Sequence, residues 1–153
     1  MTTNILAYVT NIKTGETTRY NDYPFDHVLK FHGKHYGIKS DGIYLLEGAT
    51  DDGVQIKASF ITAKNDFDSS LLKRVPYIFT DTDRDTFVTP HVDDSEYPSY
   101  SSNFAGKRTK LGRGIKGRYW SFEFSNVGGG EMRMRGFEIE PEVMTRRVPT
   151  LES

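Results

Sequence analysis

Alternating apolar and polar side chains, interrupted every few residues by a turn that contains glycine, constrain this chain more than any other feature. Successive side chains of a strand point to opposite faces, so this period of two indicates strands. No stretch of about eleven residues shows the apolar stripe of a helix. We therefore expect an all-β fold, an antiparallel β-sandwich or barrel-like domain built from short hairpins, with little helix.

Glycine-containing dipeptides mark the expected hairpin turns. They are Thr14-Gly15, Gly33-Lys34 (type II′), Asp41-Gly42 (type I′) and Asp52-Gly53. The strands next to these turns are expected over 4–10, 16–20, 36–39, 43–46 and 54–61. This order predicts a hairpin followed by a meander, and the spacing of the turns suits a sandwich, a barrel or a propeller blade.

Aromatic alternation is strongest in GRYWSFEFSN, where Trp120, Phe122 and Phe124 share one face and are expected in the core. Farther on, Met132 and Met134 have the opposite parity to Phe137 and Ile139. A bulge at Gly136 would keep all four on the buried side, because one extra residue shifts the alternation.

Two weaker patterns lie between these segments. Val75, Tyr77 and Phe79 form an expected inward face, and Pro76 indicates an edge strand or a bulge there. The polar stretch 81–102 predicts one weak strand and a mobile loop.

A chain of 153 residues suits one domain. We place that domain at 1–143, with a β-meander at 1–62 and a sandwich half at 63–143 as sub-modules. Residues 144–153, which include Arg146 and Arg147, are expected to form an extended C-terminal tail that a partner orders.

Composition excludes several classes of function. The chain has no cysteine, so disulfides, thiolate metal sites and cysteine nucleophiles are excluded. No apolar run is long enough for a membrane span, and MTTNILAYVT lacks the pattern of a secretory signal, so no membrane partner is expected. With 20 Lys+Arg against 21 Asp+Glu, the near-neutral chain has no overall attraction to nucleic acid.

Charge is instead concentrated locally. The basic segment has closely spaced cations at Lys107, Arg108, Lys110, Arg113, Lys116 and Arg118, and an acidic segment precedes it with Asp81, Asp83, Asp85, Asp93, Asp94 and Glu96. The two segments can pair within one subunit or stay solvated, they can join neighbouring subunits, or the basic segment can contact nucleic acid. We do not expect nucleic acid, because the basic segment lacks interleaved aromatics. The candidate interface consists of these cations and of the five aspartates, without Glu96, together with Arg146 and Arg147.

Three motifs fail on inspection as evidence for a ligand. Gly112 to Gly117 matches G-x-G-x-x-G but precedes an aromatic strand instead of a helix. An EF-hand starting at Asp81 has Thr86 and Val92 where glycine and glutamate belong, although another kind of calcium loop stays open. His32 and His35 would face each other across a hairpin, yet they are only two ligands, and His27 and His91 would join them only if the fold gathered them. Signature motifs of hydrolases and nucleotide-binding enzymes are missing, so no catalytic, cofactor-binding or metal-ligating residue is predicted.

Three segments resemble tail-associated structural proteins of tailed bacteriophages and prophages: FHGKHYGIKSDGIYLLEGATDDG, KNDFDSSLLKRVPYIF and LGRGIKGRYWSFEFSNVGGGEMRMRGFEIEP. The resemblance covers about two-thirds of the chain and is strongest in Y-G-x-x-x-D-G-I-Y-x-L-x-G and G-R-Y-W-x-F. It implies a β-rich virion component, a tail or tail-to-head protein without catalytic residues, made in the host cytoplasm. Its partners would be copies of itself and other tail proteins.

Two other functions stay open. A carbohydrate-binding module for receptor recognition would use exposed aromatics, with Tyr97, Tyr100 and Tyr119 as candidates. A cell-wall-degrading tail enzyme would need two carboxylates in a cleft, which need not be close in sequence.

Overall fold

The computed structural model describes residues 5–21, 23–51, 53–103 and 108–144. It is all-β, with 54% strand in several antiparallel sheets, and its described residues contain neither a helix nor a closed barrel. The all-β prediction is thus confirmed in its sandwich-like form. The strands are β1 Leu6–Thr10, β2 Thr17–Asn21, β3 His27–Phe31, β4 Lys34–Lys39, β5 Gly42–Leu45, β6 Thr50–Asp51, β7 Val54–Gln55, β8 Ser59–Ile61, β9 Lys73–Arg74, β10 Tyr77–Thr82, β11 Thr86–Val92, β12 Ser95–Glu96, β13 Tyr100–Ser102, β14 Arg108–Lys110, β15 Trp120–Asn126, β16 Met134–Ile139 and β17 Glu142–Val143.

The chain divides into two compact units, Met1–Gly48 and Ala49–Ser153. The expected sub-modules 1–62 and 63–143 do not coincide with these units, because β8 pairs with β15 inside the larger one. Of the expected tail 144–153, only Met144 is described, so Arg146 and Arg147 lie outside the described residues.

The smaller unit contains the hairpin β1–β2 and the meander β3–β4–β5. Its first expected meander turn is one residue out of place: His32 and Gly33, with φ of +46° and +81°, form the turn between paired Phe31 and Lys34. Positive φ at both central positions makes it type I′ instead of type II′. The second turn is also displaced, because Lys39 pairs with Gly42 and leaves Ser40-Asp41 as the loop.

The larger unit holds the core between two sheets. One sheet has the order β12-β11-β15-β8, with β13 also paired to β11, and the other has the order β14-β10-β16. Trp120, Phe122 and Phe124 of β15 are buried, as predicted. Phe137 of β16 packs on them, with its ring centroid 6.1 Å from that of Phe122 and 5.0 Å from that of Phe124. Stacked sheets that bury aromatic side chains between them are typical of a sandwich.

β11 corrects the expectation of a weak strand and a mobile loop over 81–102. It pairs with β15 along its whole length and is mostly buried, including Pro90. The proline is tolerated because Phe122, which lies opposite, directs its N–H and C=O to Thr62 on the other side of β15. The carbonyl of Pro90 accepts a hydrogen bond from the Tyr97 N–H, so only a donor is missing from this strand.

The expected inward face of Val75, Tyr77 and Phe79 is correct only for Val75. In β10 the buried residues are Ile78, Thr80 and Thr82, so the side-chain parity is opposite to the prediction. β10 is also not an edge strand, since it lies between β14 and β16.

A bulge interrupts β16 where the sequence predicted one. Asp81 lies opposite Gly136 and Thr82 opposite Met134, so Arg135 is the extra residue, directly before the expected position. The bulge lets Met134, Phe137 and Ile139 pack against the core, whereas Met132, the fourth residue expected there, precedes β16 and does not belong to that cluster.

The expected strand over 54–61 is two strands. β7 pairs with β6, whereas β8 pairs with β15, and the Ile56 N–H between them donates to the carbonyl of Ala49. The chain therefore changes sheets within this segment.

Candidate interaction surface

The basic segment, at its described residues 108–118, is held by apolar side chains while its cations project outward. Leu111 and Ile115 are buried, whereas Lys110, Arg113, Lys116 and Arg118 are exposed. Gly117 lets the segment lie close to β11: a Cβ there would be 2.1 Å from Val92 Cγ1. The segment is thus a fixed edge of the larger unit that presents cations to solvent.

Few of these cations have partners. Arg108 stacks on Tyr77, with its Cζ 4.2 Å from the ring centroid. Within the described part of the chain, the side chains of Lys110, Arg113, Lys116 and Arg118 make no ion pair or hydrogen bond. Lys107 lies outside the described residues.

Three acids of the acidic segment contact arginine or lysine residues that lie outside the basic segment. Asp81 Oδ1 lies 2.9 Å from Arg135 Nη1. Asp83 accepts a hydrogen bond of 3.2 Å from the main-chain N–H of Arg133. Asp94 forms an ion pair with Lys64. For these three acids the structure places the charge partner outside the basic segment; Asp85 and Glu96 are exposed.

Asp93 contacts the basic segment through main-chain groups of that segment. Its carboxylate accepts hydrogen bonds from the N–H groups of Arg118 at 3.1 Å and Tyr119 at 2.9 Å. Asp93 has a φ of +46°, which directs its side chain back over the entry to β15. It therefore positions the end of the basic segment without neutralising its side chains.

We expect Asp93→Ala to lower the free energy of unfolding by about 1–3 kcal/mol, because two main-chain donors lose a charged acceptor. Asp94→Ala is the matched control: Asp94 also has a positive φ, of +68°, but its carboxylate makes only an exposed ion pair. Asp94→Ala should lower the free energy of unfolding by about 1 kcal/mol less than Asp93→Ala does. Urea denaturation of both variants measures the difference, and equal losses would show that the two hydrogen bonds stabilise nothing.

A groove of about 360 Å³ lies beside the basic segment. Lys110 and Arg113 line it together with Arg74, whose Nη2 lies 2.5 Å from Glu142 Oε2. Three cations thus face one acid, so the groove suits an additional carboxylate or phosphate group. Arg74 and Glu142 were not singled out in the sequence, because β9 and β17 bring them together from distant positions.

The histidine and calcium-loop candidates do not form the sites that the sequence suggested. His32 is in the turn and His35 is opposite Lys30, so the two histidines do not face each other across the hairpin. Among the described residues, no cluster of three His, Cys, Asp or Glu side chains suits a metal ion. In the segment that was compared with an EF-hand loop, residues Thr86–Val92 form strand β11.

The tyrosines considered for carbohydrate binding differ in their surroundings. Tyr97 and Tyr100 pack against the core, and the Tyr100 hydroxyl accepts a hydrogen bond of 3.0 Å from the Gly112 N–H. Tyr119 is half exposed. Two of the three are therefore needed for packing.

Comparison with known proteins adds no relative. No family model, no curated protein and no solved structure matches the chain. A helix of the length and apolarity needed to cross a bilayer is missing from the described residues.

Proposed function

We propose that this chain is a structural component of a bacteriophage virion, a tail or tail-to-head protein that assembles in multiple copies with itself and with other tail proteins. One observation carries the proposal: among the described residues of the smaller unit, Gly37 alone is buried. The strands of this unit therefore do not cover their own apolar side chains, and an assembly would supply the cover.

The apolar surface of the smaller unit is extensive. Its exposed large hydrophobic residues are Ile5, Leu6, Tyr8, Val9, Ile12, Tyr20, Val28, Leu29, Phe31, Ile43, Tyr44 and Leu45. Sheets of two or three strands are marginal in water unless such a face is packed, and exposed apolar patches of this kind mark interaction sites.

The larger unit supports the same function through its charges. The larger unit presents the exposed cations Lys110, Arg113, Lys116 and Arg118, which have no ion-pair partner among the described residues. They would steer and orient a neighbouring acidic surface. We assign the assembly to a phage tail because three segments of the chain resemble tail-associated proteins.

Sedimentation of the purified full chain across salt concentrations, together with immunogold labelling of phage particles, tests the proposal. We expect self-association that weakens as salt screens the charged contacts, and labelling of the tail. A salt-indifferent monomer that is absent from particles would overturn the proposal.

Glycan recognition is the second candidate, supported by the exposed aromatics Tyr8, Phe31 and Tyr44. A glycan array probed with the purified chain tests it, and specific binding lost in Tyr8→Ala would favour receptor recognition over assembly. Release of fragments from purified cell wall would instead favour the tail-enzyme alternative.

A further inference from the structure

Each residue of β10 directs its main-chain hydrogen-bonding groups either to β14 or to β16. The Leu111 N–H donates to the carbonyl of Pro76, so Pro76 directs its main chain toward β14. Hydrogen-bonding groups of successive residues in a strand point to opposite sides, so Ile78 also faces β14, whereas Phe79 and Asp81 face β16.

The same alternation identifies the main-chain groups of β16 that point away from β10. Opposite Phe79 and Asp81 lie Glu138 and Gly136, whose main-chain groups bond to β10. The N–H and C=O groups of the intervening Phe137, and of Ile139 and Met134, therefore point away from β10. Among the described residues no strand pairs with that side.

The charges along this edge have opposite signs at its two ends. Arg133 and Arg135 are exposed on the N-terminal side, and Glu138 and Glu140 are exposed on the C-terminal side. Edge charges normally block pairing with another strand. In an antiparallel pair of two identical strands, however, this pattern places each arginine opposite a glutamate.

From this edge we infer that β16 pairs with β16 of a second copy of the chain, antiparallel and about a two-fold axis at Phe137. The outward groups then meet: Phe137 lies opposite Phe137 of the second copy, and Met134 lies opposite Ile139 of the second copy. The bulge residues Arg135 and Gly136 together oppose Glu138. Two three-stranded sheets become one continuous sheet across the dimer.

The charged pairs of this register are Arg135 with Glu138 and Arg133 with Glu140, each formed twice. Glu138 and Glu140 make no ion pair among the described residues, so they are available to a partner. Arg135 already contacts Asp81, and Arg133 contacts Glu131 at 3.3 Å and Asp83 at 4.0 Å. A guanidinium has five N–H donors, so each arginine can bind a further carboxylate. A parallel pairing in register would place like charges together, so the pattern selects the two-fold arrangement.

This inference rests on the proposed function, because it specifies one contact between copies in the proposed assembly. Its test uses two variants of the full chain, Glu138→Lys/Glu140→Lys with a wholly basic edge and Arg133→Glu/Arg135→Glu with a wholly acidic edge. Each variant alone should self-associate at least about tenfold more weakly than the original chain, because like charges now face each other. An equimolar mixture of the two should associate again, as a heterodimer, in sedimentation velocity.

Glu96→Lys, an exposed acid on β12 of the other sheet, is the matched control and should leave association unchanged. If the acidic-edge variant does not fold, because Arg133 and Arg135 contact Asp83 and Asp81, the basic-edge variant decides the question on its own, since Glu138 and Glu140 are exposed.

Unchanged association of the basic-edge variant, or a mixture of folded variants that stays monomeric, would overturn the inference. If the chain still labels tails and self-associates, the proposed function survives that failure. A dimer that obeys the charge pattern but is absent from particles would instead overturn only the proposed function.

Discussion

Phe124→Ala lowers the free energy of unfolding by about 3–5 kcal/mol, a large part of the total stability expected of a domain this size. Phe124 is fully buried, and it links three strands: its ring centroid lies 5.2 Å from that of Phe60 on β8 and 5.0 Å from that of Phe137 on β16. Truncation leaves a cavity where the two sheets meet, and the neighbouring rings cannot all move to fill it. Chemical denaturation followed by Trp120 fluorescence measures the loss.

Phe87→Ala is the matched control for this variant. Phe87 lies on the adjacent strand β11, and 37% of it is exposed. Its truncation should cost about 1 kcal/mol, much less than that of Phe124, since its side chain is partly exposed and does not belong to the buried core cluster. Equal losses in Phe87→Ala and Phe124→Ala would show that the core is not where the structure places it.

Gly129→Ala is expected to cost about 3 kcal/mol through two separate effects. Gly129 has a φ of +72°, which is strained for any residue with a Cβ. A Cβ at this position would also lie 2.1 Å from the main-chain oxygen of Ala49, which itself accepts a hydrogen bond from the Ile56 N–H. The Ala49 carbonyl cannot move away from the added Cβ without weakening that hydrogen bond.

Gly128→Ala separates the two effects. Gly128 has a similar φ of +62°, but the nearest atom to an added Cβ is a Gln55 side-chain nitrogen at 3.8 Å. Only the backbone strain of about 1 kcal/mol should appear in this variant. Thermal unfolding of both variants measures the contribution of the close approach, and a Gly128→Ala loss as large as that of Gly129→Ala would contradict it.

The sequence predicts those parts of the fold that depend on local alternation. Trp120, Phe122 and Phe124 stand out because large apolar side chains recur at every second position of one strand. The bulge next to Gly136 is visible for a similar reason, since the parity of the apolar residues changes there. Both features are properties of a single segment.

The inward face of β10 could not be predicted in this way, because it is partly polar. Thr80 is buried, and its hydroxyl lies 2.5 Å from the Ser102 hydroxyl, while the Thr82 hydroxyl donates to the carbonyl of Arg84. Hydroxyls that find partners are tolerated in a core, yet residue type alone assigns them to solvent. β11 was expected only as a weak strand, because the segment contains Pro90 and proline is normally excluded from a central strand.

The charge partners of the acidic segment are also non-local. Asp81 and Asp83 pair with Arg135 and Arg133 from a strand about fifty residues farther along the chain. One pattern does connect them: each pair of like charges is two residues apart, as antiparallel neighbours on one face require. That spacing suggests the contact only after β10 and β16 are known to be neighbours.

Pro90 also affects the competition between folding and aggregation. In an unfolded or partly folded chain, the segment of β11 is exposed and can pair with the same segment of another copy. A missing N–H at the centre of that segment interrupts any intermolecular ladder and penalises a one-residue slip of the strand. The native neighbour β15 tolerates the gap because Phe122 bonds elsewhere, so the proline disfavours aggregation more than it disfavours folding.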